Sequence, residues 1–406
     1  MADVLDRFLR YINIMTSSDE NSENIPTTQC QFELAHMLVQ EMKEMGISDA
    51  SVDEKCYVYG TIPATAGCEK CPALGFIAHM DTVSDFAEHP VKPLIHKNYD
   101  GKDLPLGKSG RILSVKKFPH LSKFAGRTLI TSDGTTILGA DDKAGIAEIL
   151  TMAEILIQNQ IPHGKICIGF TPDEEVGAGA DHFDVEKFGA DFAYTVDGDT
   201  EGGIEYENFN AASAKFEIYG VNVHPGSAKD IMVNASLVAM EIVNMLPETE
   251  RPEHTEKYEG FYHLTDMDGC VEKAHLSYII RDHDAEIFEN RLEVLRDIEE
   301  KINEKYGVGT VKLEIKEQYR NMAEKIRECF HLVETAKLAA KELGTEPVIA
   351  PIRGGTDGAR LSFMGLPCPN LGTGGHAFHG PYEHITREGM EVEVQILVGI
   401  VKKYAL

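Results

Sequence analysis

The sequence predicts an α/β fold with two domains: a larger one built on a largely parallel mixed sheet flanked by helices, and a smaller one inserted into it. Three observations support this fold class. Short apolar runs alternate with longer helical patterns, polar clusters directly follow several of these runs, and the pattern changes character after about residue 210. A chain of 406 residues is too long for one ordinary core and comfortable for two domains.

The first part of the larger domain alternates helical and strand patterns. Apolar residues at a spacing of three to four predict helices, and uninterrupted apolar runs of about six residues predict strands inside a sheet. The predicted elements are helices at 4–14 and 32–45, a strand at 73–78, a polar excursion with a hairpin at 86–128, a helix at 146–157, and strands at 165–170 and 192–196. Strands separated by long helices indicate a largely parallel sheet.

The inserted domain is predicted at 211–319, so that residues 1–210 and 320–406 form the larger, catalytic domain. Alternating apolar residues mark half-exposed strands, and two helical stretches at about 228–246 and 285–305 lie between them. The resulting order, β-α-β-β-α-β, is the ferredoxin-like pattern. After it we expect a helix to residue 343, a strand at 348–351 that returns to the larger domain, and a final helix at 388–404.

Composition excludes several classes of partner. The formal net charge is -27, and such an acidic surface repels nucleic acid and anionic membranes. The N-terminus lacks the basic start and apolar centre of a signal peptide, and no run of eighteen apolar residues occurs, so we expect a cytoplasmic protein. Cys68 and Cys71 form a Cys-x-x-Cys pair, but no second pair completes a tetrahedral zinc site, which favours ordinary reduced thiols.

Acids and histidines follow the predicted strands at the points where ligands bind in such sheets. They are His79, Asp81, Asp141, Glu174, Glu175, Asp197 and His379. Imidazole and carboxylate together suit zinc, manganese or cobalt. Two histidines with at least three carboxylates exceed one tetrahedral shell, which favours two metals bridged by a carboxylate. Each residue alone also has a structural explanation; Asp141 and Asp142, for example, could simply cap the helix that follows them.

The motifs together resemble the dinuclear zinc aminoacylase and carboxypeptidase family, and within it the tripeptide aminopeptidases. The matching segments are His79–Thr82, Gly139–Gly145, Asp173–Gly177, Tyr194–Gly198, Asn222–Gly226, Arg353–Gly358 and His379. They span nearly the whole chain, including the inserted domain. The resemblance implies an aminopeptidase that releases the N-terminal residue of tripeptides, with two Zn²⁺ ions for which Mn²⁺ or Co²⁺ could substitute.

Carried over by position, the resemblance assigns a role to each residue of the strand-end set. His79 and Asp197 would hold one metal, Glu175 and His379 the other, and Asp141 would bridge them. Asp81 would fix the ring of His79, and Glu174 would be the general base. The peptide bond between Asp141 and Asp142 would be cis.

The same resemblance implies how short peptides with free termini are bound. Arg353 would take the terminal carboxylate bidentately, with Asn234 a weaker candidate, and His224 on the inserted lid domain would bind the oxyanion. Asp173 and Asp199 are candidates for the amino group, and His376 would lie near the metals. A dipeptidase, an aminoacylase, a desuccinylase and a non-catalytic metal- or peptide-binding protein remain alternatives, and the oligomeric state stays open.

Overall fold

The computed structural model describes residues 3–405, which divide into two compact units. The first contains the described residues up to Tyr206, Glu324–Ala350, and those from Thr356 onward. The second contains Glu207–Ala323 and Pro351–Gly355. The sequence analysis assigned 351–355 to the larger domain, but this segment clusters with the smaller unit because Ile352 donates its backbone N–H to the carbonyl of Glu207, at 2.8 Å.

The first unit is built on a mixed sheet, as predicted. In the described residues its strands, from one edge to the other, are Ser51–Val52, Val58–Ile62, Ile166–Thr171, Leu74–His79, Phe192–Gly198, Asn370–Gly372, Gly203–Glu205 and Val348–Ile349. The four strands from Ile166–Thr171 to Asn370–Gly372 run parallel to one another. Antiparallel strands flank this parallel centre on both sides. The predicted fold class is confirmed.

Helices flank this sheet. In the described part of the first unit they are Val4–Ile12, Gln31–Glu44, Ala140–Gln158, Val185–Phe188, His331–Glu342, Asp357–Phe363 and Arg387–Tyr404, and a short helix, Ala323–Ile326, begins at the unit boundary. Ala140–Gln158 is buried on nearly every side because it packs between the strand Leu74–His79 and the two helices at the chain ends. The helix predicted to run to residue 343 is interrupted by a 3₁₀ turn at Arg327–Cys329.

A smaller sheet in the first unit orders the polar excursion and the last part of the chain. Its antiparallel strands are Gly375–His376, His384–Thr386, Leu129–Thr131 and Leu94–His96. The predicted hairpin lies nearby in sequence and pairs Leu104–Pro105 with Ile112–Leu113. The connection between Gly375–His376 and His384–Thr386 carries His379, so this sheet holds both ends of that connection.

The second unit has the predicted β-α-β-β-α-β order. Its antiparallel sheet contains, in spatial order, Phe261–Gly269, Lys273–Asp282, Asn210–Tyr219 and Val311–Tyr319, and its helices are Ala235–Met245 and Ala285–Tyr306. The inward residues of the sheet, such as Phe216 and Leu276, pack with Leu292 of the longer helix in one apolar core. The first helix begins at Ala235 rather than near residue 228.

None of the helices within residues 3–405 combines the length and the apolar character that crossing a bilayer requires.

Candidate metal centre

Parallel strands bring polar residues to one edge of the main sheet. His79 is the last residue of its strand and pairs in register with Thr171, the last residue of the neighbouring strand. Glu174 and Glu175 follow Thr171 closely in the chain, and Asp197 is next to last in the strand on the other side of His79. Because the carboxyl ends of parallel strands meet at one edge, side chains far apart in sequence converge there.

The carboxylate of Asp141 lies between two histidines. Its Oδ1 is 2.9 Å from Nε2 of His79, and its Oδ2 is 3.0 Å from Nε2 of His379. Nε2 of His79 is also 3.2 Å from Oδ1 of Asp197, and Nε2 of His379 is 3.1 Å from Oε2 of Glu175. These five side chains therefore form two ligand groups, each close enough to hold a metal ion, and Asp141 belongs to both.

The charges of this cluster perturb both histidines and the acids. Burial would lower the pKa of His79, but the carboxylates of Asp197 and Asp141 raise it well above its usual value. Hydrogen bonds to Asp141 and Glu175 raise the pKa of His379 to about 11. Burial raises the pKa of Asp197 to about 8. The raised pKa values of both histidines reflect the carboxylates around them, an excess of negative charge that a cation would balance.

Two further observations test whether the residues fit a metal. Oε1 of Glu175 is buried and has no hydrogen-bond partner among the described residues. Within residues 3–405, no lysine or arginine forms an ion pair with Asp141, Glu175 or Asp197. A buried, unsatisfied carboxylate oxygen costs free energy unless a cation or donor binds it. Two imidazoles and three carboxylates are the donor set that zinc, manganese and cobalt accept, so the residues fit.

Asp81 supports this cluster through hydrogen bonds to the main chain. Its Oδ1 accepts the backbone N–H of Glu174 at 2.9 Å, and its Oδ2 accepts that of Glu175 at 3.1 Å. Nδ1 of His79 is 3.0 Å from the backbone carbonyl of Asp81 and 3.4 Å from its carboxylate. The ring of His79 is therefore held mainly by the main chain, while the carboxylate of Asp81 orients the turn that carries both glutamates.

Glu174 differs from its neighbour in having no partner for its side chain. In the described residues its carboxylate makes no hydrogen bond or ion pair, and only its main chain is anchored. Burial and the charge of Asp197 raise the pKa of Glu174 well above its usual value. A free carboxylate whose pKa is raised is suited to accept and return a proton.

Asp142 holds the strand end against the following helix. The peptide bond between Asp141 and Asp142 is cis, as expected. The buried carboxylate of Asp142 accepts the backbone N–H groups of His79 and Gly145, both at 3.1 Å. A side chain at position 145 would collide with the carbonyl oxygen of Val196, so glycine is required for this close approach. The expected capping role of Asp142 is therefore present, and it extends to the strand that carries His79.

Curated relatives match the chain over its whole length. Peptidase T of Caldanaerobacter subterraneus is 56% identical over 406 residues, which cover 100% of this chain and 99% of the relative. Peptidase T of Clostridium perfringens is 56% identical over 407 residues, with both chains fully covered.

The chain belongs to the peptidase T family. A family model described as a peptidase dimerisation domain matches residues 206–310. This range begins five residues before the predicted insertion, 211–319, and otherwise lies inside it. Membership in the peptidase T family confirms that the chain is a peptidase, the enzyme class expected from the sequence.

Solved structures share the fold. An aminopeptidase of Bacillus cereus is 23% identical, with 99% of this chain and 98% of that chain covered and a TM-score of 0.79. A tripeptidase of Staphylococcus aureus is 24% identical, with the same shares covered and a TM-score of 0.78. A dinuclear metal-binding peptidase of Bacillus subtilis, 16% identical, covers 98% of this chain and 97% of its own at a TM-score of 0.63.

Three of the residues expected to bind peptide, His224, Asn234 and Arg353, lie in the second unit. Nδ1 of exposed His224 accepts the backbone N–H of Gly226 at 3.1 Å. Asn234 is the N-cap of the helix Ala235–Met245, and its side-chain oxygen accepts the first backbone N–H groups of that helix. This cap explains why the helix begins at Ala235 rather than near residue 228.

Arg353, also in the second unit, is exposed, and its guanidinium donates to the carbonyls of Lys257 and Glu259 at 2.5 and 3.1 Å. It also donates to Oγ1 of Thr255 at 3.2 Å and lies over the ring of Phe209. Among the described residues it forms no ion pair, so an ordinary salt bridge in a loop does not account for this arginine.

Two further candidates have other partners. The carboxylate of Asp173 accepts hydrogen bonds from the main chain and hydroxyl of Thr27 and from Nε2 of Gln31, at 2.6–3.1 Å. It is thus occupied in anchoring residues 27–31.

His376 stacks on His120, with ring centroids 4.1 Å apart, and Nε2 of His120 is 2.8 Å from Nε2 of His384. We call these three residues the histidine cluster. Asp199 is exposed and has no hydrogen bond or ion pair within residues 3–405.

Sequence reasoning missed Glu383, which contacts the main chain of Asp141. Its carboxylate is buried and receives three backbone N–H groups from the segment that leads into the helix Ala140–Gln158. The signal that could have identified it is its position, four residues after His379. An acidic residue so close in sequence to an expected metal ligand is a candidate for supporting the metal site.

Proposed function

We propose that this peptidase releases the N-terminal residue of tripeptides and that its active site holds a pair of Zn²⁺ ions. The observation that carries the proposal is the sharing of Asp141 between two ligand groups, each with one histidine and one further carboxylate. The names of the relatives and of the solved structures with the same fold support the same substrate class. Acyl-amino acids and dipeptides are the competing substrates.

The proposed ligands follow the two groups. His79 and Asp197 hold one metal, Glu175 and His379 hold the other, and Asp141 bridges them. Histidine and carboxylate ligands favour Zn²⁺, with Mn²⁺ or Co²⁺ as substitutes. When bound, such a pair activates a water molecule and polarises the carbonyl of the scissile peptide bond.

Glu174 is the proposed general base and acid. Its carboxylate is free of other partners, and its main chain is fixed by Asp81, so it can accept a proton from water at a carboxylate oxygen and pass it to the leaving amine. Asp81 is proposed to keep Glu174 and Glu175 in fixed relative positions.

We assign the ends of the substrate to residues of the second unit by chemistry alone. His224 accepts at Nδ1, so its neutral ring carries the proton at Nε2, which can donate to an oxyanion. Arg353 has a guanidinium without a carboxylate partner, which suits it for a terminal carboxylate. Asn234 uses its carbonyl oxygen as a cap, so only its amide N–H groups remain for substrate.

The proposed setting is the cytoplasm, with short peptides that have free termini as partners. All eight cysteines lie within the described residues and are free, which fits a reducing compartment. The acidic surface makes nucleic acid and anionic membrane poor partners.

The experiment that tests the proposal is hydrolysis of a panel of di-, tri- and tetrapeptides and N-acyl amino acids. Each substrate is measured before and after treatment with a chelator and after addition of Zn²⁺, Mn²⁺ or Co²⁺. We expect tripeptides to be preferred, activity to vanish with chelation, and two equivalents of metal to restore it. Preference for dipeptides or N-acyl amino acids would replace the substrate assignment, and full activity without metal would reject the centre.

A further inference from the structure

Glu383 is a buried carboxylate to which the proposed function gives no role. Its side chain is 2% exposed, and each of its oxygens accepts backbone hydrogen bonds. Oε2 lies 2.6 Å from the N–H nitrogen of Leu138 and 2.9 Å from that of Gly139, and Oε1 lies 3.1 Å from that of Asp141. One carboxylate thus holds three main-chain groups around the proposed bridging residue.

These N–H groups lack partners within the helix that follows. The first N–H groups of any helix have no carbonyl four residues earlier to accept them. Here Asp141 and Asp142 also have non-helical torsion angles, so the regular helix begins only after them. Hydrogen bonds donated to a charged acceptor are about twice as strong as those to a neutral one, so the carboxylate of Glu383 holds this segment more firmly than a neutral cap would.

The position of Glu383 in the chain links both proposed metal sites. It lies in the connection between Gly375–His376 and His384–Thr386, the same connection that carries His379. The backbone that presents the ligand His379 therefore also presents the group that fixes Asp141.

We infer that Glu383 is a positioning residue that fixes the carboxylate of Asp141 for binding of the metal pair. It touches neither substrate nor the proposed ligand atoms and acts through the main chain of Asp141. Residues that support metal ligands in this way typically contribute 10–100-fold to metal affinity or activity. The inference rests on the proposed dinuclear centre and adds a residue that determines how tightly that centre binds.

The test compares Glu383→Gln with Glu393→Gln as a matched control. Glutamine keeps the volume but offers one acceptor oxygen, so its amide N–H₂ must face at least one of the three backbone donors. Glu393 is equally buried, at 1% exposure, and likewise accepts a backbone N–H, that of Gly202 at 2.5 Å. The control therefore reports the loss of a buried carboxylate away from the proposed ligands.

Metal affinity is measured by competition with a chromophoric chelator, alongside kcat, KM for a tripeptide, and the unfolding temperature of the metal-free protein. We expect Glu383→Gln to bind at least one of the two Zn²⁺ ions roughly 10–100-fold more weakly and to lose kcat, with KM unchanged. Glu393→Gln should keep both affinities, even where its unfolding temperature falls as far. Equal metal affinities in Glu383→Gln and the unchanged protein would overturn the inference.

Two further results separate this inference from the proposed function. If the unchanged protein binds fewer than two metals, the dinuclear proposal fails, and the role of Glu383 fails with it. If the unchanged protein binds two and Glu383→Gln binds them as tightly, only the inference fails. Should Glu383→Gln not fold, Glu383→Asp replaces it, because aspartate keeps the charge but its shorter side chain cannot reach all three donors, and the same affinities decide.

Discussion

Asp141 and Asp142 are neighbours in the chain, yet their carboxylates bind opposite kinds of partner. Asp141 faces the Nε2 atoms of His79 and His379, whereas Asp142 accepts the main-chain N–H groups of His79 and Gly145. His79 is thus contacted by both acids, at its ring by one and at its backbone by the other. This division separates the proposed binding of metal from the support of the fold.

The two aspartates should therefore respond differently to the same substitution. Asp141→Asn should fold but bind fewer than two metals and lose at least about 10²-fold in kcat/KM, because a neutral amide replaces a shared anionic ligand. Asp142→Asn should lower the free energy of unfolding by about 1–3 kcal/mol, because a buried acceptor is lost. Metal content by elemental analysis and thermal unfolding of the metal-free proteins distinguish the two. If both variants showed the same metal content and the same thermal unfolding, the two aspartates would not have the separate roles described above.

Glu174→Gln should keep both metals and lose at least about 10²–10⁴ in kcat, because the amide cannot accept a proton from water. The control is Glu175→Gln, which should lose metal as well as activity. Steady-state kinetics on metal-loaded protein, with metal content measured on the same samples, provide the comparison. Near-normal turnover in metal-replete Glu174→Gln would remove Glu174 as the base.

Arg353→Ala should raise KM for free tripeptides far more than for their C-terminal amides. The reason is that the guanidinium has no carboxylate partner within the described residues and is proposed to bind a terminal carboxylate. Arg296→Ala is a suitable control, since Arg296 pairs with Glu293 on the surface of a helix in the same unit. An equal rise of KM for acids and amides would show that Arg353 acts only through its hydrogen bonds to Thr255, Lys257 and Glu259.

Acid should destabilise the protein through the histidine cluster. Burial lowers the pKa of His384 to about 4, below the value of about 6.5 in an unfolded chain. Between these values the unfolded state binds a proton that the folded state does not, so stability falls as pH decreases from about 6.5 to about 4. By pH 4, the titration of His384 alone should have lowered the free energy of unfolding by about 3 kcal/mol.

The measurement is the free energy of unfolding against pH for the unchanged protein and for His384→Gln, both without metal. Between pH 7 and pH 4, His384→Gln should lose less free energy of unfolding than the unchanged protein. The difference should be at most the loss that the titration of His384 causes. Parallel curves would show that His384 is not the group responsible. Comparing slopes rather than absolute stabilities removes any constant loss that the substitution itself causes.

The strand ends, and the polar residues that meet beyond them, could be predicted because they depend on local patterns. Six-residue apolar runs followed at once by His79, or closely by Glu174 and Glu175, indicate both a strand and the edge at which it ends. The break at Arg327–Cys329 could not be predicted, because a 3₁₀ turn disturbs apolar spacing only slightly. The closeness of Glu383 to His379 in sequence could have drawn attention to it, but its hydrogen-bond partners could not be predicted, since they lie more than two hundred positions away.

The anchoring of Asp173 has a consequence for interpreting variation in this chain. Asp173 precedes the proposed base directly, and its carboxylate is held by Thr27 and Gln31. A substitution at Thr27 would look, in sequence, like a harmless change in an irregular polar stretch. It would nevertheless remove the hydroxyl that donates to Asp173 at 2.6 Å and so loosen the residue that leads into Glu174. In an inactive variant that keeps every expected ligand, residues 27–31 are therefore the first place to look for the cause.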